Sequence, residues 1–271
     1  MTIQFHKLSA TGNDFVVIDN REALLAESRL SDFAQHVCAF HTGVGADGLL
    51  LLEPSVTAHY RMRYLNSDGS EAGMCGNGAR ALGWLAREQS LWDDRGTFQA
   101  GNQIHRVIWQ QGSVGISLRS GGAPEKVTME DGTTGWRVDT GVPHLVILSD
   151  DIGHLDLEQL GRRYRYDKAF AETGTNVNFM MVEGDALRVR TYERGVERET
   201  LACGTGALAC ALIGMEGHGL SAPVILHMNG GKLQITREDT DWMLWGVVET
   251  VFTGELHLGG RMGEYLREHI E

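Results

Sequence analysis

Two of the four cysteines of this 271-residue chain stand in the same setting. Glu71-Ala-Gly-Met-Cys75-Gly-Asn-Gly-Ala-Arg-Ala81 is echoed by Glu199-Thr-Leu-Ala-Cys203-Gly-Thr-Gly-Ala-Leu-Ala209, with Glu, Cys, both glycines and both alanines in register. Tyr64 and Tyr192 fall at the same 128-residue offset, in the arginine-bearing segments Arg61-Met-Arg-Tyr64 and Arg188-Val-Arg-Thr-Tyr192. An offset close to half the chain length marks an internal duplication. A cysteine that opens a helix meets N–H groups with no intrahelical partner and the positive end of the helix dipole. Both favour the thiolate. Gly76 and Gly204 let a ligand approach the backbone, and the N–H groups that follow can hold a carboxylate. Two such elements facing each other would grip one carboxylate and set a sulfur on each side of the neighbouring carbon. One sulfur, as thiolate, would take a proton and the other, as thiol, would return one. The charge spreading into the carboxylate would meet donors fixed in advance. Cys38 and Cys210 lack this setting and read as buried core residues on apolar helical faces.

The elements that must position the two thiols read alike. In each copy an alternating, strand-like segment ends in a polar turn, Asn66-Ser-Asp-Gly-Ser70 or Glu193-Arg-Gly-Val-Glu197, before the cysteine element and a helical pattern. The first helix carries Leu82, Leu85 and Ala86 on one face and Arg80 and Arg87 on another. The second is apolar through Leu212, which predicts a helix buried on all sides. Most of the remainder reads as hairpins: His105 to Trp109 with Val114 to Leu118, Val177 to Val182 with Leu187 to Tyr192, and Val224 to Met228 with Leu233 to Ile235. This order predicts an α+β fold of two pseudo-symmetric halves, each wrapping strands around one helix. The expected joint is Ser120-Gly-Gly-Ala-Pro124.

Composition narrows the function classes. Hydrophobic residues make up 42% and charged residues 22%, as in a soluble globular protein. The formal charge of −12 argues against nucleic acid or an anionic membrane as partner and leaves a small molecule. The N-terminal residues do not have the form of a signal peptide, and the longest aliphatic run, Leu49 to Leu52, is far below membrane-spanning length, so the cytoplasm is the expected location. The cysteines form no CxxC pair, so neither a disulfide framework nor a zinc site is expected, and no other metal is implied. The four lysines, Lys7, Lys126, Lys168 and Lys232, sit in no marked context for a pyridoxal phosphate Schiff base, so no cofactor is expected. A redox pair is the alternative from another class, and the wide cysteine separation speaks against it. A noncatalytic amino-acid binder would need the cysteine elements only for carboxylate capture.

Along most of its length the chain resembles the diaminopimelate epimerase family. The matching stretches are Thr11-Gly-Asn-Asp-Phe15, Gly43-Val-Gly-Ala-Asp-Gly48, Tyr64 to Glu71 running into Met74 to Arg80, Gly141-Val-Pro-His144, Gly174-Thr-Asn-Val-Asn178, and Tyr192-Glu-Arg-Gly195 running to Leu201-Ala-Cys-Gly-Thr-Gly206. The resemblance implies curled, mostly antiparallel sheets around central helices, with the active site in the cleft between the halves. It implies an N-terminal half of residues 1–120 plus 256–271 carrying Cys75, and a C-terminal half of residues 121–255 carrying Cys203. It also implies cofactor-independent epimerisation with Cys75 and Cys203 as the acid–base pair. Gly76, Asn77, Gly204 and Thr205 would hold the reacting carboxylate, with Asn13 beside that end. Asn66, Asn176, Glu193 and Arg194 would read the far amino acid, an arrangement in which Arg pairs with carboxylate and Glu with ammonium. His144 would sit near the second cysteine, and His144 and Glu193 would support catalysis there. A homodimer is compatible with the sequence, which does not itself fix an oligomeric state.

The chain departs from the family pattern at three places. Gly48 and Val142 stand where many members carry side-chain amides, and the turn from Val196 to Thr200 is one residue longer than the common form. These departures leave open a racemase of another amino acid, such as histidine. Tyr192-Glu-Arg-Gly195 speaks against the distantly similar proline racemases.

Overall fold

The structure, a computed structural model, describes residues 2–170 and 173–257. Residues 258–271, expected from the resemblance to join the N-terminal half, lie outside the described residues. The chain divides into two compact units, one running to Ile116 and resuming at Val247, the other spanning Ser117–Gly246.

The first unit contains β1 (Thr2–Ala10), β2 (Asn13–Asp19), α1 (Leu30–Cys38), β3 (Gly48–Glu53), β4 (Tyr60–Asn66), the two-residue β5 (Glu71–Ala72), α2 (Gly76–Glu88), β6 (Arg95–Ala100) and β7 (Gln103–Gln110), with β8 (Ser113–Leu118) at its end. The second contains β9 (Glu125–Thr128), β10 (Thr134–Asp139), β11 (Pro143–Leu148), α3 (Leu157–Arg165), β12 (Asn176–Glu183), β13 (Ala186–Glu193), β14 (Arg198–Thr200), α4 (Gly204–Gly217), β15 (Val224–Met228), β16 (Gly231–Glu238) and β17 (Asp241–Gly246). The last strand, β18 (Val248–His257), pairs antiparallel with β1. The three hairpins expected from sequence form as β7–β8, β12–β13 and β15–β16.

Strand pairing repeats from one unit to the other. β1–β2 is antiparallel, β2–β3 parallel, β3–β4 and β4–β5 antiparallel, β4–β6 parallel, and β6–β7 and β7–β8 antiparallel. β10 to β17 reproduce each relation in the same order. The duplication visible in a dozen residues therefore extends through both strand orders.

Each unit places a helix on either face of its sheet. α2 packs on β1 to β4 and β18, and α4 on β10 to β13 and β15 to β17. On the other faces, α1 joins Val16, Ile18, Leu49 and Leu51, while α3 joins Leu145, Ile147, Val177, Phe179 and Tyr192. A strand covered on both faces loses its polar alternation. Leu49 to Leu52 of β3 are accordingly all wholly buried. Each such leucine contributes on the order of 2 kcal/mol by leaving water. The same alternation has a second result in the other unit. Because Leu145, Val177, Phe179 and Tyr192 face α3, their neighbours His144, Asn178 and Thr191 point to the α4 side, where all three are wholly buried.

One correction to the sequence reading lies in α2. Arg80 and Arg87, read together on a face apart from Leu82, Leu85 and Ala86, have different surroundings: Arg80 is wholly buried like those residues, whereas Arg87 lies over the Trp109 ring, 4.5 Å from its centroid. Among the described residues no helix is long and apolar enough to cross a membrane.

Candidate active site

The two cysteines occupy the same local geometry. Cys75 caps α2 with φ −136° and ψ 117°, and Cys203 caps α4 with φ −124° and ψ 113°. In each helix the first intrahelical bond runs to the cysteine carbonyl, from Ala79 N–H at 2.7 Å and from Ala207 N–H at 2.9 Å. The N–H groups of Gly76 and Asn77, and of Gly204 and Thr205, therefore have no intrahelical acceptor. They form the kind of positive cradle that holds carboxylates.

Around Cys75 the polar groups form one chain of hydrogen bonds. The sulfur, half-buried, accepts the Gly78 N–H at 3.4 Å. Behind it, Arg80 donates to the Asn77 side-chain oxygen and, from both terminal nitrogens, to the Thr11 hydroxyl at 3.1 Å. Asn77 donates to Asn13 Oδ1 at 2.6 Å, and Asn13 donates to Asp47 Oδ2 at 2.8 Å. A guanidinium only donates and an ionised carboxylate only accepts, so the two ends fix the direction of both amides between them. Burial lowers the Arg80 guanidinium to about 10, opposed by charge on the Cys75 sulfur, and Arg80 remains a cation at neutral pH. Thr11 and Gly12 form the β1–β2 turn with φ of 53° and 84°, a two-residue hairpin geometry that suits Gly and strains Thr. The double contact from Arg80 holds that threonine in place.

Around Cys203 the partners differ. The sulfur lies 3.5 Å from Thr205 Oγ1, and Thr205 Oγ1 lies 3.0 Å from His144 Nε2. His144 Nδ1 meets Asn178 Nδ2 at 3.0 Å. Burial first, then the charge of Arg194, lowers His144 to about 3, so its ring is neutral at physiological pH. Glu193 is hydrogen-bonded to the Cys203 side chain and accepts the Thr200 hydroxyl at 2.5 Å. Burial raises the Glu193 carboxyl above its usual range. The Arg194 guanidinium has no partner among the described residues, while its backbone N–H donates to Asn176 Oδ1 at 2.9 Å. Asn176 also donates to the Pro143 carbonyl at 3.0 Å, so its side chain ties the Arg194 turn to β11.

The structure thus bonds Asn13 to Asn77 in the first turn of the Cys75-capped helix, which Gly76 opens, and ties His144, Glu193 and Thr205 to Cys203. Asn66 stays outside these networks and donates to Ser70 Oγ at 3.0 Å. The supporting residues Thr11, Asp47, Arg80, Asn178 and Thr191 carry no reactive type or spacing that singles them out. Their one mark is polarity inside otherwise apolar or glycine-rich segments. Gly48 has a steric cause: a Cβ there would lie 2.5 Å from Tyr64 Cε2 and 2.7 Å from the Leu65 carbonyl.

Comparison with known proteins identifies the family and the fold. The family model described as diaminopimelate epimerase matches residues 5–133 and 136–255. A diaminopimelate epimerase of Aquifex aeolicus is 41% identical over 94% of this chain and 98% of its own length. One from Archaeoglobus fulgidus is 38% identical over 95% of this chain and 98% of its own. Among solved structures, a Bacillus anthracis phenazine biosynthesis protein of the PhzF family superposes with TM-score 0.73 at 14% identity, covering 95% of this chain and 99% of its own. A hydroxyproline epimerase from Agrobacterium vitis gives TM-score 0.64 at 14% identity, covering 97% and 95%. These two share the fold. Sequence identity above 35% across nearly the whole length, together with the duplicated cysteine-capped helices, shows that the chain belongs to the diaminopimelate epimerase family of isomerases.

Proposed function

We propose that this chain interconverts L,L- and meso-2,6-diaminopimelate by moving the α-proton between Cys75 and Cys203, in the cytoplasmic bacterial route to lysine and peptidoglycan precursors. The observation that carries the reading is the duplicated cap: two cysteines with matching backbone angles, each opening a helix whose first N–H groups have no intrahelical acceptor. The names of relatives spanning almost the whole chain support the substrate.

In this reading the two sulfurs address opposite faces of one α-carbon. The thiolate removes the α-proton and becomes a thiol, and the electron pair delocalises into the carboxylate held by Gly76, Asn77, Gly204 and Thr205. The opposite thiol then delivers its proton to the other face and becomes the thiolate, so protons and charge balance. Asn13, held by Asp47 and Asn77, presents its second amide hydrogen to the reacting end. The free Arg194 guanidinium takes the distal carboxylate. Glu193, bonded to Cys203, and neutral His144 tune that sulfur.

The test is incubation of L,L-diaminopimelate with the protein in D2O without added cofactor. Deuterium should enter the α-position as the meso isomer forms, thiol alkylation should stop the reaction, and chelators should leave it unchanged. Full activity in Cys75→Ala or Cys203→Ala would rule the mechanism out. Turnover of histidine or another amino acid, with none of diaminopimelate, would redirect the substrate assignment.

A further inference from the structure

The hydrogen bonds behind Cys203 have a direction that can be read from one backbone carbonyl. Asn178 Nδ2 lies 2.9 Å from the Leu145 carbonyl oxygen, which can only accept. That contact fixes the amide: nitrogen toward Leu145 and His144, oxygen toward Thr191, whose hydroxyl donates to it at 3.0 Å. Asn178 and Thr191 are direct cross-strand partners in the β12–β13 register, and both are wholly buried. His144 Nδ1, 3.0 Å from an amide nitrogen that donates, must be the accepting nitrogen. A neutral imidazole has one donor and one acceptor, so Nε2 carries the proton and donates to Thr205 Oγ1 at 3.0 Å. The Thr205 hydroxyl then has one proton to place. Among the described residues the partner within reach is Cys203 Sγ at 3.5 Å.

We propose that Asn178 is a positioning residue that locks His144 in its Nε2–H form and thereby aims the Thr205 hydroxyl proton at the Cys203 sulfur, a proposal that rests on the epimerase reading. The relay runs one way, from Asn178 through His144 and Thr205 to Cys203. It supplies the sulfur with a donor when Cys203 has given up its proton and is a thiolate. Protonating His144 would set an Nδ1–H against the Asn178 N–H, so the relay resists charging at that ring. Among the described residues, the titratable or charged groups tied to this relay include Glu193 of β13, hydrogen-bonded to the Cys203 side chain, and Arg194 in the following turn, whose charge acts on His144 of β11. α4 leaves Asn178 little freedom: a Cβ at Gly206 would lie 2.4 Å from Asn178 Oδ1.

The tautomer is read directly by long-range proton–nitrogen NMR on ring-labelled histidine in the full-length protein, with His144 assigned by a His144→Gln control. The wild type should show a bare Nδ1 and a protonated Nε2 between about pH 6 and 9. Asn178→Asp replaces the donor with an acceptor of the same shape and should invert the pattern to Nδ1–H. It should also lower kcat for α-proton exchange about tenfold or more with KM little changed, the value of one hydrogen bond to a charged group. Thr191→Val removes a neighbouring hydrogen bond but leaves the Leu145 constraint, so its tautomer should stay as in the wild type. A wild-type ring protonated at Nδ1, or equal kinetic losses in both variants with the tautomer unmoved, would overturn the proposal. The wild-type spectrum needs no variant to fold. It also stands apart from substrate identity: a protein inactive on diaminopimelate but showing the bare Nδ1 would sink the functional reading and keep the relay.

Discussion

Arg80 approaches Asn77 from inside the protein, and this contact decides which end of the Asn77 amide faces Asn13. A buried cation bonded to neutral groups is costly to keep. Here its bonds set the orientation of two amides beside Cys75 and steady the strained Thr11 turn. Asp47 closes the far end of the chain. Replacing Asp47 by Asn should free Asn13 to flip and lower kcat/KM about tenfold, since one well-placed hydrogen bond is worth about 1.4 kcal/mol. Arg80→Met should also destabilise the fold by about 2–4 kcal/mol, because it removes the buried hydrogen bonds to Asn77 and Thr11 and changes the packing of a wholly buried side chain. Urea denaturation separates the two effects, and unchanged kinetics in Asp47→Asn would contradict the account of Asn13.

Position 48 offers a steric test. With Tyr64 Cε2 2.5 Å from a notional Cβ, Gly48→Gln should cost about 1–3 kcal/mol by overpacking. Trimming the ring in Gly48→Gln, Tyr64→Ala should recover part of that loss relative to the sum of the single variants. A double-mutant cycle by thermal melting gives the coupling, and simple additivity would mean that the ring does not exclude the side chain.

His144 links stability to pH. Its folded value of about 3 lies below the ordinary histidine value of 6.5, so the unfolded chain binds a proton that the folded chain refuses. Stability should therefore be complete above about pH 6.5 and decline as pH falls toward 3, by on the order of a few kcal/mol. Carboxylates titrate in part of the same window, so the useful quantity is the difference from His144→Gln, which lacks this slope. Parallel pH curves for the two proteins would count against a buried neutral ring.

The four thiols should differ in reactivity. Burial pushes Cys38 up to about 12 and raises Cys210 as well. Iodoacetamide at about pH 8 should label half-buried Cys75 first and leave Cys38 and Cys210 untouched until the chain unfolds. Peptide mass spectrometry reads the order. Labelling of Cys210 at the rate of Cys75 in the native protein would be inconsistent with the packing described.

The two cysteine-capped helix starts were legible because the duplication repeats both residue type and position, and Cys-Gly-x-Gly fixes a helix start by local chemistry alone. The hairpins were legible from alternation. Arg80 was not. It lies seven residues before Arg87, on the same stripe of an ideal helix, yet α2 begins under the β1–β2 turn and ends near Trp109 at the surface. One stripe is thus inward at one end and outward at the other. Asn178 and Thr191 were hidden for a related reason. Alternation tells which residues share a face, but the α4 side of β12 and β13 holds polar groups where a core face would ordinarily be apolar.

α4 packs against seven strands of its unit and presents almost no polar surface from Gly204 to Gly214, whereas α2 ends in Arg87 and Glu88. A substitution on the outer stripe of α2 meets solvent and can be absorbed there. On α4 a methyl added at Gly206 or Gly214 meets packed neighbours, Asn178 at one end and Leu187 and Leu220 at the other, and a displaced β12 or β13 moves the groups tied to Cys203. The second half of the protein should therefore tolerate drift in its loops far better than in this stretch, and a library randomising the buried residues from Gly206 to Gly214 should lose activity at most positions, however distant from the sulfur.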